Sequence, residues 1–511
     1  MQVPADPLIA GLQRLLQART GRMVRCVQTH LSWVLLDGEQ AWKIKKPLRL
    51  GFVDFTTLQA RRQACEDELR LNRRLAASVY RAVEPITGSV AAPRLGGGGE
   101  AIEYALRMRQ FADHALLSTR LAAGLLDAGL IDRLAARLAA FHMAIPAADP
   151  ASGFGAPERI EAVTAQVLAG LHARVQAQTL DPLRAWCEAQ GRRLRQRFAA
   201  RKLQGWVREG HGDLHLGNLV DLGDEVTAFD CIEFDPGLRW IDVQSDIAFL
   251  LMDLTAHGRA DLAWRFLDRW LGITGDYAGV RVLRYYSVYR ALVRALVAEL
   301  RRAEGLTVDG PDYLATAQRL GAAADARLLI TYGPSGSGKS VVSQQLLQVA
   351  GAIRLRSDVE RQRLFARQGR GAPLPRAALY SAQASRRTYA RMRRLAHVLL
   401  GAGCRVIVDA TFLQPAERDA FARLAQRLAV PWSILHCHAP PDVLRERVSR
   451  RHARGDDVSQ ADLTVLEQQL VQAGALRADE ARASITVDTA RPYDIADIAR
   501  RWMRQSVRHL R

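Results

Sequence analysis

Residues 30–55, HLSWVLLDGEQAWKIKKPLRLGFVDF, carry an apolar run before DGE and an alternating stretch, AWKIK, after it, the pattern of two strands joined by a turn. The period then changes. FTTLQARRQACEDELRLNRRLAA places its apolar residues at helical spacing. Strand patterns return around VYRAVEPIT and AIEYALRMRQF, with LGGGGE as the turn between them. The predicted order is β-β-α-β-β, followed by a crossing at about residues 110–115. From LLSTRLAAGLLDAGLIDRLAARLAAFH onward the pattern is mainly helical to about residue 305. A loop and two short strands, NLVDL and VTAFDCIEF, interrupt it at 211–235. EGLTVDGPDY is the linker candidate, and a helix through ATAQRLGAAADA leads on to the strand RLLITYG. Further strands are expected at AIRLRS, CRVIVDAT and WSILHCHA, with helices between them. That alternation predicts a doubly wound parallel sheet. The expected organisation is a first domain over 1–305, with an N-lobe at about 20–112 and a helical C-lobe at 113–305. A linker helix at 306–326 and a second domain at 327–511 follow.

At 511 residues the chain is too long for one ordinary core. Its 49% hydrophobic and 24% charged content is that of a water-soluble globular protein. The longest apolar stretches, such as IAFLLMDL, fall far short of a bilayer span, so no membrane partner is expected. MQVPADPLIAGLQ lacks the basic and apolar regions of a signal peptide. The six cysteines form no CxxC pair and read as reduced thiols of a cytoplasmic protein.

Charge sharpens this outline. Of the net +19, residues 327–511 contribute +15, from 31 Lys+Arg against 16 Asp+Glu. Residues 354–394 alone carry twelve arginines, with Asp358 and Glu360 as the acids. This composition suits either a polyanionic ligand or a solvated arginine face. Lysine is rarer: the chain has Lys43, Lys45, Lys46, Lys202 and Lys339. Arginine supplies generic charge well, but a compact ammonium fits better among phosphate oxygens. Three of the five lysines lie in AWKIKKP and one in GSGKS, which marks both stretches as phosphate-binding candidates.

HGDLHLGN, residues 211–218, places Asp213 and Asn218 five apart, with His211 two before the aspartate. This is the spacing of a kinase catalytic loop with Gly in place of Arg. The carboxylate can orient an attacking hydroxyl and take its proton, and the amide oxygen can hold Mg²⁺. Asp230 follows twelve residues after Asn218, at the end of an apolar strand, as the expected second metal ligand. Upstream, Lys43 and Lys45 share one strand face, and Glu66 and Glu68 lie on the next helix. This region, roughly residues 25–300, resembles aminoglycoside phosphotransferase and choline kinase-type enzymes. The similarity rests on HGDLHLGN followed by FDCIEFD, and on ARLAAFH ending at His142. The resemblance implies that Asp213 is the catalytic base and that Asn218 and Asp230 bind Mg²⁺. It also implies that Lys43 or Lys45 holds the α/β-phosphates, paired with Glu68, and that Asp246 in QSDIAFL is structural. One departure is visible: no GxGxxG precedes the lysine strand.

RLLITYGPSGSGKSVVSQQLL is strand, loop and helix around GxxxxGKS. Gly333-Pro334-Ser335-Gly336-Ser337-Gly338-Lys339-Ser340 would cradle phosphates. Lys339 would reach the β/γ oxygens, Ser340 would bind Mg²⁺, and the helix N-terminus would add its dipole. RLRSDVERQRL places Asp358 and Arg361 after the next strand, and CRVIVDAT ends a strand at Asp409, where a carboxylate would touch the Mg²⁺ shell. LRERVSRRHARGDDVSQAD offers Arg447 and Arg451 one turn apart, aimed from a lid helix at the transferred phosphoryl group. The set is similar to small P-loop kinases of the gluconate kinase, zeta-toxin and polynucleotide kinase types. The resemblance of SDVERQR to a polynucleotide kinase motif implies that Asp358 is a general base.

The joined pattern KIKKP…GFVDFTTL…CEDELRLNRRL…HGDLHLGN…GPSGSGKS resembles a bacterial class of bifunctional aminoglycoside phosphotransferase/ATP-binding proteins. It implies an α+β protein-kinase-like domain followed by an α/β P-loop NTPase domain with a parallel sheet. Two sites would use ATP and Mg²⁺ to phosphorylate hydroxyls of small molecules. Two other readings stay open. The missing Gly-rich loop fits a ligand-sensing first domain that regulates one P-loop kinase. The basic C-terminal third fits a nucleic-acid-end kinase, although 354–394 offers only Phe365, Tyr380 and Tyr389 to stack on bases.

Overall fold

A computed structural model describes residues 6–50, 53–322, 325–366, 376–379, 381–454, 462–472 and 474–505. Tyr380 and residues 455–461 of LRERVSRRHARGDDVSQAD lie outside the described residues. The chain forms two compact units. One holds Met1–Ala173 and Cys187–Asp253, the other Arg174–Trp186 and Leu254–Arg511.

In the first unit, α1 (Pro7–Thr20) opens with Asp6 accepting hydrogen bonds from the amides of Leu8 and Ile9. It precedes β1 (Arg25–Gln28), β2 (Ser32–Leu36) and β3 (Gln40–Lys45), with Asp37-Gly38-Glu39 as the predicted turn between β2 and β3. Then follow α2 (Leu58–Ala76), β4 (Tyr80–Gly88), β5 (Pro93–Leu95) and β6 (Glu103–Arg109). The six strands form one antiparallel sheet in the order β1-β2-β3-β6-β4-β5. The period-two pattern of β3 divides its side chains between two jobs. Trp42 and Ile44 join Ile9, Leu12 and Leu16 of α1 in one core cluster, whereas Lys43 and Lys45 reach Glu68 of α2. Helix α1 and strands β1 and β5 add to the predicted β-β-α-β-β. β1 is mostly exposed at the sheet edge, so no alternation marks it in the sequence. The helical part includes α3 (Ala128–Ala144) and the start of α4 (Val243–Ala256). The loop between them carries two short paired strands, Leu219–Asp221 and Val226–Ala228.

The second unit contains α5 (Ala260–Thr274), β7 (Arg327–Tyr332), α6 (Lys339–Ala350), β8 (Ala352–Arg356) and α7 (Ser357–Ala366). It continues through α8 (Ala382–Gly401), β9 (Arg405–Asp409), α9 (Pro415–Arg427), β10 (Trp432–His438) and α10 (Pro441–Arg454). It ends with α11 (Leu463–Gln472), β11 (Ser484–Asp488) and α12 (Ile495–Arg504). All five strands are parallel, in the order β8-β9-β7-β10-β11. Leu346 and Leu347 of α6, Leu435, Ile485 and Trp502 meet in one buried cluster. Trp264 of α5 packs against that cluster, and Asp268 one turn later accepts from Arg354 of β8 at 2.8 Å. These contacts group the helices after residue 254 with the parallel sheet, whereas the division read from sequence falls at 305. No described helix is long and apolar enough to cross a membrane.

Candidate active sites

The first cluster is an alternating set of charges. Lys43 Nζ donates to Glu68 Oε1 at 2.7 Å and to Asp230 Oδ1 at 2.6 Å. Lys45 Nζ donates to Glu68 Oε2 at 2.5 Å and to Glu233. One glutamate on α2 thus orients both lysines, where the sequence leaves the choice between them open. Their exposures differ: the Lys45 side chain is 1% exposed and faces two buried carboxylates, while Lys43 is 12% exposed and faces Asp230, itself 44% exposed. Burial by itself would lower the proton affinity of Lys43, but Asp230, Glu68 and Glu233 outweigh it and raise its pKa well above the usual value. For Asp230 burial acts upward, and the charge and hydrogen bond of Lys43 bring its pKa below the usual carboxylate range. Asp230 also has φ of 62°, which is uncommon outside glycine, and its N–H donates to Tyr80 Oη at 3.1 Å.

The HGDLHLGN loop lies against α4. Asp246 accepts from His211 N (2.8 Å), Gly212 N (2.9 Å) and His142 Nε2 (3.1 Å). Asp253, seven residues on and so on the same helix face, accepts from Leu216 N at 2.9 Å. Burial works against ionisation of Asp246, yet these bonds and the two histidines lower its pKa strongly. His211 Nε2 donates to the Phe229 carbonyl at 2.9 Å, and its Nδ1 accepts from Asp213 N at 3.3 Å. The ring thereby ties the Asp213 backbone to the segment carrying Asp230. Gly212 has φ of 86°, and a Cβ there would stand 2.7 Å from the Leu238 carbonyl oxygen. Asn218 Nδ2 donates to Asp213 Oδ2 at 2.9 Å, and His215 Nε2 is 3.4 Å from the same oxygen. Asp213, Asn218, Asp230, Lys43, Lys45 and Glu68 all lie in this one unit. Glu233 and Asp253 were not singled out in the sequence. Glu233 stands in the quoted FDCIEF, and the heptad spacing of Asp253 from Asp246 was available as a signal.

Among the described residues no group of three or more His, Cys, Asp or Glu is arranged as a self-sufficient metal site. A magnesium ion needs less from the protein, since it keeps waters and shares phosphate oxygens. Two lysines set against Asp213, Asp230, Glu68 and Glu233 leave the cluster net negative, a donor set that fits an added hard cation. The Asn218 and Asp230 oxygens are the groups that would hold it.

The second cluster surrounds the loop between β7 and α6. Gly333, Gly336 and Gly338 all have positive φ, and a Cβ on Gly333 would stand 2.3 Å from the Cys437 carbonyl oxygen. Lys339 is buried, with Nζ donating to the Pro334 carbonyl at 2.7 Å. Burial lowers its proton affinity, with Asp409 only partly compensating. A desolvated ammonium within a glycine-built loop at a helix N-terminus fits a phosphate chain. Asp409 ends β9 and is buried, 3.4 Å from Ser343 Oγ, one turn along α6 from Ser340. Asp358 lies in the first turn of α7 and is half-buried. Asp358 and Arg451 both act electrostatically on Lys339. Arg447 is engaged elsewhere: it donates to the Gly336 carbonyl at 3.3 Å, to Thr489 Oγ1 at 2.9 Å and to the Thr489 carbonyl at 2.8 Å. In this state it fastens the loop to the end of β11. Arg361 donates to the Leu379 carbonyl at 2.7 Å. Gln469 of α11, also not singled out in the sequence, accepts from the loop amide of Ser335 at 2.7 Å.

The segment after β9 is fixed from both sides. Phe412 has φ of 49°, its N–H donates to Tyr389 Oη at 3.2 Å, and its carbonyl accepts from fully buried Arg418 at 2.9 Å. Arg418 also forms a two-pronged pair with Glu480 at 2.8 and 3.0 Å. Nearby Glu417 is pushed up to about 7 from 4.5 by burial, against the hydrogen bond with Tyr389 and the charges of Arg361 and Arg418. The folded protein therefore holds this proton more tightly than the unfolded chain does. The resulting stability is present below about pH 4.5 and is lost as the pH rises towards 7. Glu417→Gln should flatten Tm against pH between these values and raise Tm at pH 8. Thermal unfolding of both proteins across that range checks this, and parallel curves would contradict it.

Comparison with known proteins matches residues 47–283 to the phosphotransferase enzyme family and residues 328–476 to an AAA domain. The first match begins just after the lysine strand. An uncharacterized protein of Mycobacterium tuberculosis (strain ATCC 25618 / H37Rv) is 31% identical over 456 residues, 84% of this chain and 87% of the relative. One from Mycobacterium bovis aligns with the same values. Among solved structures, a choline/ethanolamine kinase family protein from Mesorhizobium loti is 13% identical with a TM-score of 0.36, covering 61% of this chain and 92% of its own. A sugar kinase from Janibacter sp. HTCC2649 is 21% identical with a TM-score of 0.27, covering 36% of this chain and 98% of its own.

Proposed function

Because the chain belongs to the family of these mycobacterial proteins, a phosphotransferase domain followed by an AAA domain, we propose that it is a two-site phosphotransferase. Each site uses ATP with Mg²⁺ and transfers the γ-phosphoryl group to a hydroxyl of a small molecule. The functional division is 1–305 for the first site and 327–511 for the second, with 306–326 between them. The observation that carries the reading is the joining of Lys43, Glu68 and Asp230 into one bonded set.

In the first site Lys43 is the phosphate-facing lysine, because it is the more exposed and stands beside Asp230. Lys45 holds Glu68 in place and is held in turn by Glu233. Asp213 orients the acceptor hydroxyl and takes its proton, with Asn218 and His215 fixing its carboxylate. Asn218 and Asp230 would hold the magnesium ion, which supplies positive charge against the phosphate oxygens when bound. In the second site the 333–340 loop and Lys339 bind phosphates, and Ser340 and Asp409 are the groups for the cation. Asp358 is the base, and Arg451, whose charge is felt at Lys339, is the arginine assigned to the transferred group. Arg447 could join it only by leaving Gly336 and Thr489. Phosphoryl transfer depends chiefly on positioning and electrostatics, which both clusters supply.

Calorimetric titration of the full chain with a non-hydrolysable ATP analogue and Mg²⁺ tests the reading. Two nucleotides per chain are expected. Lys43→Met and Lys339→Met should each leave one. A wild-type stoichiometry of one that only Lys339→Met abolishes would remove the first site from the proposal.

A further inference from the structure

Helix α8 has two contrasting faces. Ala384, Thr388, Met392, Ala396 and Leu399 are buried at helical spacing. The other face carries Arg386, Arg387, Arg393, Arg394 and His397, all exposed. The helix has no acidic residue. Some exposed arginines elsewhere in the chain meet carboxylates, such as Arg62 with Glu66, Arg445 with Glu467, Arg477 with Asp419 and Arg500 with Asp494, and others, such as Arg192 and Arg423, stand singly or on helices that also carry acids. Among the described residues, none of the four exposed α8 arginines has an acidic partner, and Arg387 instead lies over the Phe365 ring at 5.6 Å. Arg391, towards the buried side, does have one in Glu360.

The four guanidinium groups form two adjacent pairs seven residues apart, so the pairs lie about 10.5 Å apart along the helix axis. Unneutralised like charges repel one another, and a ligand with regularly repeated negative charge relieves this. Guanidinium matches phosphate with two parallel hydrogen bonds. The apolar side of α8 is buried in the unit, which leaves no face to insert into a lipid surface. Base stacking is also poorly served, since Phe365 is covered by Arg387 and the Tyr389 hydroxyl is turned to the Phe412 amide. We propose that the arginine face of α8 binds the phosphate backbone of a nucleic acid strand, without reading base sequence.

The test is fluorescence anisotropy of the full chain with labelled single-stranded and duplex oligonucleotides of mixed sequence, across a salt series. Four phosphate contacts predict a log–log salt slope of roughly 3. The R386Q/R387Q/R393Q/R394Q variant should bind at least ~10-fold more weakly and lose most of that slope. The R445Q/R450Q/R477Q/R500Q variant removes the same charge from other faces and should bind much as wild type does. Unchanged circular dichroism and Lys339-dependent nucleotide binding confirm that the first variant is folded. The proposal is overturned if wild type fails to bind at low salt or if both variants lose affinity equally. Tighter binding to anionic phosphatidylserine vesicles than to either oligonucleotide would also overturn it.

Discussion

Asp213→Asn should lower phosphoryl transfer at the first site by a factor on the order of 10²–10⁴, the usual contribution of a positioned general base. The amide preserves the shape of the side chain and can still accept from Asn218, but it can no longer take a proton. KM for ATP should change little, because the phosphate-facing lysine is held by Glu68 and Asp230, which the substitution leaves in place. The measurement is γ-phosphate transfer to acceptors from a screen of sugars, nucleosides, aminoglycosides and oligonucleotide ends. It should be made in a Lys339→Met background, so that only the first site is read. Undiminished transfer would remove Asp213 from the chemistry and favour a first domain that senses ligand rather than phosphorylates it.

Asp246→Ala should be nearly as damaging, although Asp246 is a positioning residue. Its carboxylate accepts from two loop amides and from His142, all within 3.1 Å and away from solvent. Removing it strands buried donors at a cost of about 1–3 kcal/mol each. It also frees the HGD turn, and a displacement of about 1 Å can cost roughly 10²-fold in rate. Transfer at the first site should therefore fall by about that factor together with Tm, while Lys339-dependent nucleotide binding persists. Asp246→Asn, which keeps an acceptor oxygen, should recover part of both losses. Loss of Tm with transfer intact would show that Asp246 supports the unit without setting the loop.

Much of this was legible in the chain because chemistry and periodicity coincide. The 211–218 spacing and the GxxxxGKS loop each fall between elements whose apolar pattern is unambiguous, and both lie where that pattern places them. The alternation in β3 already sends Lys43 and Lys45 to the same side. What it cannot convey is depth: both lysines find Glu68, and only their unequal burial separates the phosphate-facing candidate from its support. Glu233 was hidden for a related reason, since its role depends on a partner 188 residues away in sequence. Arg447 shows the opposite limit. Helical spacing places it beside Arg451, but spacing does not reveal that Thr489 and the Gly336 carbonyl hold its guanidinium. Strand β1 escaped notice because an exposed sheet edge needs no alternation.

The scarcity and burial of lysine bear on how the protein can be probed. None of the five is fully exposed: Lys45, Lys202 and Lys339 are buried, and Lys43 and Lys46 are half-buried. The surface positive charge is therefore almost entirely guanidinium, which does not react with amine-directed acylating reagents at neutral pH. Such a reagent would find Lys46 before Lys43, whose ammonium is held by Glu68 and Asp230 and keeps its proton more firmly than a free lysine does. Cross-linking chemistries that rely on surface amines would find little to join, whereas arginine-directed dicarbonyls would mark the face of α8.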